Sequence, residues 1–102
     1  MSKIMLACAA GMSTSMLVGK MQRAAEALGI DVEIIAVAAN DVDAKLASER
    51  PDVLMLGPQV RFMKGEIQAK TEIPVSVIDM KDYGRMNGEA VLKAGLGLIE
   101  RF

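Results

Sequence analysis

Histidine is absent from this chain. That removes the commonest general base and the commonest metal ligand, and it excludes a Cys-His dyad or a phosphohistidine within the chain. There is one cysteine, Cys8, so neither an internal disulfide nor a cysteine metal cluster can form. No residue cluster calls for a metal, and no cofactor is expected. The formal net charge is −1, which leaves no basic footprint for nucleic acid. No apolar run approaches the roughly 20 residues of a membrane span, and the start, MSKIMLACAAG, lacks a basic region followed by a long apolar one. These absences predict a cytoplasmic protein that is not itself membrane-spanning, in a reducing compartment that suits an unpaired thiol. What remains is 102 residues, 52% hydrophobic and 25% charged. That suits residues 1–102 forming a single globular domain with one core.

The informative stretch is KIMLACAAGMSTSML, residues 3–17. An apolar run ends on Cys8; small residues, a glycine and hydroxyls follow (Ala9, Ala10, Gly11, Ser13, Thr14, Ser15), and a helical pattern starts at once. This reads as buried strand, tight loop and helix N-terminus, with a thiol at the strand's carboxyl end. Amides in such a loop converge, and the helix dipole favours an anion at that point. A thiol placed there has its thiolate favoured, and the same cradle would hold a phosphoryl group carried on sulfur. The competing reading is that Cys8 is a small buried hydrophobe. Its position weighs against that, because chemistry in open α/β sheets sits beyond the carboxyl ends of the strands.

The rest of the chain alternates. Lys3–Ala7 reads as a first strand and Ser13–Leu28 as a helix, with Leu17, Met21, Ala24 and Leu28 inward and Gly29 as terminator. Val32–Ala38 is a β-branched second strand. Asn40 and Asp41 suggest a turn and cap, and Val42–Ser48 a short helix broken before Pro51. Val53–Leu56 is a third strand, residues 60–70 a helix with Val60, Met63 and Ile67 on one side, and Pro74–Ile78 a fourth strand. Asp79–Asn87 reads as a long polar loop, and Gly88–Arg101 as the last helix, with Val91, Leu92, Leu96 and Ile99 inward. Such alternation predicts an α/β fold: a four-stranded parallel open sheet with helices on both faces and right-handed crossovers. The loops after each strand then gather at one edge.

At that edge, Ser13, Thr14 and Ser15 can surround phosphoryl oxygens, although Ser13 or Thr14 can equally cap the helix. Gln59, after Gly57-Pro58, could donate to an oxyanion; such a turn could also merely end a strand. Asp79, Asp82 and Tyr83 belong to the opposing loop, where an aspartate could act as a general acid and the tyrosine hydroxyl could close over phosphate. The plain alternative is an exposed polar loop with a packed tyrosine. The first basic residue downstream of Cys8 is Lys20. A cradle without a guanidinium suits a carrier better than a hydrolase. Among nine methionines, Met12 is expected at the rim of the site, with Met63, Met80 and Met86 as possible neighbours, while Met5, Met21 and Met55 fill the core. A flexible apolar rim fits a surface that meets more than one partner.

CAAGMSTSMLVGKM after an apolar strand, with DVLMLGPQVRFM and VSVIDMKDYGRMNGEAVL later, resembles the IIB components of the bacterial phosphoenolpyruvate-dependent sugar phosphotransferase system, lactose/cellobiose (chitobiose) type. The likeness runs over nearly the whole chain. It implies that Cys8 takes a phosphoryl group from a phosphohistidine of an EIIA partner and passes it to a sugar bound by the membrane partner EIIC. It also implies that Ala9, Ala10, Gly11, Met12, Ser13, Thr14 and Ser15 form the phosphate-binding loop, and that sugar choice lies mainly with EIIC. A second resemblance is to low-molecular-weight tyrosine phosphatases and arsenate-reductase-like enzymes, which also place a cysteine loop after the first strand. Their pattern has an arginine six residues after the cysteine, and this chain has Thr14. A third reading is a binding module with an incidental cysteine, which predicts that Cys8→Ser leaves function intact.

Overall fold

In the computed structural model the two most uniformly apolar runs become the two central strands. β1 (Ser2–Cys8) lies beside β3 (Val53–Leu56); β2 (Val32–Ala38) pairs with the outer side of β1, and β4 (Val75–Val77) with the outer side of β3. Every pairing is parallel, with Cys8 opposite Ala38 and Ala7 opposite Leu56. A central parallel strand is covered on both faces, so Ile4, Met5, Leu6 and Ala7 are 0% exposed. On edge strand β2, Glu33 is exposed between buried Val32 and Ile34. The structure describes residues 2–9 and 11–101, with the backbone alone at 11–13 and 101.

The helices are α1 (Gly11–Leu28), α2 (Val42–Glu49), α3 (Lys64–Gln68), α4 (Met80–Gly84) and α5 (Gly88–Arg101). Side chains of a strand alternate between faces. Ile4, Leu6 and Cys8 therefore point into a core closed by α1 and α5, while Met5 and Ala7 point into a second core with Val42, Val60 and Ile67. The expected four-stranded parallel α/β fold with helices on both faces is present.

α1 begins at Gly11, two residues ahead of the expected Ser13. It ends in a Schellman turn: Ile30 N–H donates to Ala25 O at 2.8 Å, Gly29 N–H to Glu26 O at 3.2 Å, and Gly29 takes a φ of 69°. Thr14, Leu17, Met21 and Ala25 form its buried stripe. Leu28, expected inward, is 47% exposed; beyond Ala25 the turn itself brings Ile30 back onto the core.

Three other expectations are corrected. The helix expected over residues 60–70 is a 3₁₀ segment, Pro58–Met63, followed by the short α3. Val60 has non-helical φ/ψ of −117° and 23°, and the Arg61 side chain donates to Pro58 O at 3.0 Å, holding the tighter turn. The supposed polar loop contains α4, because Asp79 Oδ1 accepts from the backbone N–H of Lys81 at 2.9 Å and of Asp82 at 3.3 Å and so caps a helix start. Asn40 and Asp41 lie in a 3₁₀ turn, Ala39–Asp41, and Asp41 precedes α2 without a side-chain cap bond. At the fourth strand the ladder is Val75–Val77; flanking Pro74 O and Ile78 N–H still bond to Leu54 and Leu56.

Candidate functional site

The sheet order β2-β1-β3-β4 makes the chain leave β1 in one direction and return to β3 on its other side. Ligands of open α/β sheets bind in the crevice at such a reversal, outside the carboxyl ends of the strands. Cys8 is the last residue of β1, and Gly57-Pro58-Gln59 directly follows β3. Gly57 N–H donates to Ala7 O at 2.8 Å, which seats this turn beside the cysteine.

Cys8 is 3% exposed. Its thiol donates to Gln59 Oε1 at 3.6 Å, and its sulfur lies 3.4 Å from the Tyr83 hydroxyl, where either atom can be the donor. Tyr83 comes from α4, and its ring packs in the same core as Cys8. Asp79 positions it in turn: Tyr83 N–H donates to Asp79 O at 2.9 Å in the first turn of that capped helix. Gly57 is closely seated against these side chains. A Cβ there would stand 3.1 Å from Gln59 Oε1 and 3.2 Å from Cys8 Sγ, tighter than ordinary contact.

The segment that follows Cys8 brings backbone dipoles and no ionised side chain. No charged residue occurs from Cys8 through Gly19. α1 starts three residues after Cys8 and carries no acidic residue in its first turn. The positive end of its dipole therefore meets the crevice without an internal carboxylate to offset it.

The structure thus brings Gln59 and Tyr83, of the residues singled out from the sequence, to the Cys8 sulfur. It turns Asp79 to capping α4 and leaves Asp82 half-buried on the same short helix. Ala9 is exposed beside Cys8, and Ala10 lies outside the described residues. Gly11, Met12 and Ser13 open α1, but their side chains are outside the described set, as is any contact of the Met12 rim. Ser15 is exposed on the following turn. Thr14 is 1% exposed, and its Oγ1 is the one buried side-chain polar atom, among the described residues, without a hydrogen-bond partner. Of the methionines considered for the rim, Met80 is 67% exposed, while Met63 and Met86 pack against the cores. Met5, Met21 and Met55 are core residues as expected. Sequence reading did not single out Gly57 by itself; a glycine held between a buried strand and a proline was the available signal.

A family model described as "PTS system, Lactose/Cellobiose specific IIB subunit" matches residues 3–94. The chain belongs to this IIB family. This IIB chain is 57% identical over 102 residues to the PTS system galactose-specific EIIB component of Lactococcus lactis subsp. cremoris, covering 94% of each chain. It is equally 57% identical, with the same coverage, to the cellobiose-specific EIIB component of Lactococcus lactis subsp. lactis. It is 41% identical to the oligo-beta-mannoside-specific EIIB component of Bacillus subtilis, over 97% of each. Among solved structures, the cellobiose-specific phosphotransferase IIB component of Borrelia burgdorferi superposes with a TM-score of 0.79 at 38% identity, over 98% of this chain and 93% of that one. The lactose-specific IIB domain of Streptococcus pneumoniae shares the fold, with a TM-score of 0.79 at 20% identity over 94% and 95% of the two chains. This IIB chain is a component of a sugar phosphotransferase system, and among its described residues no helix is long and apolar enough to cross a membrane.

Proposed function

We propose that Cys8 is the phosphoryl acceptor and donor of this IIB component. The observation that carries the proposal is the sulfur at the carboxyl end of β1, 3.4 Å from the Tyr83 hydroxyl and three residues ahead of the α1 N-terminus. In the first step the sulfur attacks phosphorus on a phosphohistidine of EIIA. The S–P bond forms, the N–P bond breaks, and the thiol proton ends on the released imidazole. In the second step a hydroxyl of the sugar bound by EIIC attacks the phosphocysteine. The O–P bond forms, the S–P bond breaks, and the hydroxyl proton returns to sulfur.

Positioning and amide hydrogen bonds carry most of such a transfer. The loop from Ala9 to Ser15 supplies the amides, and the unpaired α1 dipole offsets the incoming negative charge. Gln59 and Tyr83 orient the resting thiol; Asp79 acts at one remove, by holding α4. A neutral cradle binds the phosphoryl group without a fixed cation, which keeps its release to the next acceptor favourable. We read residues 1–102 as a single EIIB domain, supported by a family match over residues 3–94. The reading carries a cytoplasmic location, where the thiol stays reduced. The sugar belongs to the EIIC partner: two relatives at the same 57% identity carry galactose and cellobiose in their names, so similarity at that level does not choose between them.

The test is intact-mass spectrometry after incubation with phosphoenolpyruvate, the general phosphotransferase proteins and an EIIA partner. One added phosphoryl group on the wild type and none on Cys8→Ser is expected. Phosphate acceptance that survives Cys8→Ser would sink the proposal.

A further inference from the structure

A carboxamide carries an acceptor and a donor on one planar end. At Gln59 the structure uses the acceptor: Oε1 has no proton to give, so at 3.6 Å it accepts from the Cys8 thiol. The thiol has one proton, which leaves the Tyr83 hydroxyl, 3.4 Å away, as a donor to sulfur. These resting bonds run in one direction, from Tyr83 O–H to Cys8 S–H to Gln59 Oε1. An S–P bond removes the sulfur's proton and brings negatively charged oxygens to the same place. Oε1 would then face acceptors only. The backbone that carries Gln59 is tied down, because Gly57 N–H donates to Ala7 O at 2.8 Å and Val60 N–H to Gly57 O at 3.0 Å. The side chain can turn: the residue is exposed, and the terminal torsion of glutamine is broad and roughly two-fold. Gly57 leaves the room for it, since a Cβ there would stand 3.1 Å from Gln59 Oε1 and 3.2 Å from Cys8 Sγ.

We propose, on the reading of Cys8 as the phosphoryl acceptor, that the Gln59 carboxamide reverses with the state of the sulfur. In the empty carrier Oε1 accepts from the thiol; in the loaded carrier Nε2 donates to a phosphoryl oxygen. The reversal moves no proton and breaks no covalent bond, because a half-turn of the terminal torsion exchanges Oε1 and Nε2. Gln59 lies on the turn after β3, outside the loop from Ala9 to Ser15, so the loaded state gains a side-chain donor from a second element. A donor to a charged oxygen makes a stronger bond than the neutral thiol contact it replaces, which favours loading, and the amide stays neutral, which leaves release open. Glutamate of the same shape could only accept, and lysine could only donate.

The test follows wild type, Gln59→Met and Gln59→Glu as they are phosphorylated through phosphoenolpyruvate and EIIA, with loading timed by intact mass. Methionine removes both the acceptor and the donor; glutamate keeps the acceptor and removes the donor. Acceptance is expected to slow about tenfold in Gln59→Met, the loss of one hydrogen bond to a charged group, and further in Gln59→Glu. Gln59→Glu loading as fast as Gln59→Met, or faster, overturns the inference, because the acceptor would then be the useful half of the amide. The second readout needs no variant to be active. In heteronuclear NMR of the isotope-labelled wild type, the Gln59 side-chain amide pair is the one missing from the spectrum of Gln59→Met. On loading, one proton of that pair is expected to move downfield while the other stays near its resting position. A pair that stays in place, or whose two protons move together, overturns the reversal. A wild type that takes no phosphoryl group sinks the reading of Cys8 and this inference with it; loading with the amide pair unmoved sinks this inference alone.

Discussion

Three glycines of α5 should respond to the same substitution with different signs. At Gly88 an added Cβ would lie 2.5 Å from Lys20 C, 2.6 Å from Met21 N and 2.8 Å from Lys20 Cβ. Two of those atoms are backbone of α1 and cannot rotate away. Carbon atoms in contact sit about 3.5–4.0 Å apart, so α1 and α5 must separate by roughly 1 Å. Overpacking of this kind costs about 1–3 kcal/mol. At Gly95 the neighbours are Ile4 Cδ1 and Met55 Sδ, both at 3.1 Å. These are side-chain ends that can yield a few tenths of an ångström, so the clash and the gain in helix propensity roughly cancel. At Gly97 nothing lies within 4 Å, and alanine should gain about 1 kcal/mol from propensity alone. For a domain of this size 1 kcal/mol moves the melting temperature by about 4–8 °C. Thermal unfolding followed by far-UV circular dichroism should place Gly88→Ala lowest, Gly95→Ala near wild type and Gly97→Ala highest. A Gly88→Ala chain melting within about 2 °C of wild type would refute the close α1–α5 approach.

Other outcomes follow from the site and the caps. Tyr83→Phe keeps the buried ring and loses the hydroxyl 3.4 Å from Cys8 Sγ; it should slow phosphoryl acceptance by about fivefold with stability changed by about 1 kcal/mol or less, read by timed mass spectrometry and melting. Asp79→Asn should retain both the α4 cap and phosphoryl acceptance, whereas Asp79→Ala should lose about 1 kcal/mol; loss of acceptance in the folded Asn variant would return Asp79 to an acid's role. Gly29→Ala, at φ 69° with open space around it, should cost about 1 kcal/mol through backbone strain alone. Lys3 is held above its ordinary value of 10.5 first by its hydrogen bond to Glu49; desolvation opposes the rise, and the charges of Glu33 and Glu49 add to it. Its contribution is fully present below that ordinary value and fades as pH rises through the raised one, so Lys3→Met should flatten the alkaline limb of a stability–pH profile.

Much of the architecture was written in local pattern. β2, β3 and α5 occupy the residue ranges that periodicity and β-branching indicate, and Gly29 ends α1 because only its backbone freedom suits the left-handed turn there. The apolar strand ending on Cys8 and the helix that starts after a charge-free segment were legible for the same reason, since helix termini and small residues act at short range along the chain. Long-range placement was not legible. The contact between Cys8 and Tyr83 joins residues 75 apart, and it depends on a helix that Asp79 caps inside a stretch whose polarity reads as loop. The residues that read as one helix after Gly57-Pro58 fold as a 3₁₀ segment and a short helix, because the backbone at Val60 departs from helical angles, a departure that residue type does not encode. The sequence by itself determined the alternating elements, the covered central strands and the chemistry available at Cys8. Only the tertiary structure decided the order β2-β1-β3-β4, the close seat of Gly57 and Gln59 against the sulfur, and the burial of Thr14 without a partner, because each of these depends on surfaces meeting that no local window of the chain contains.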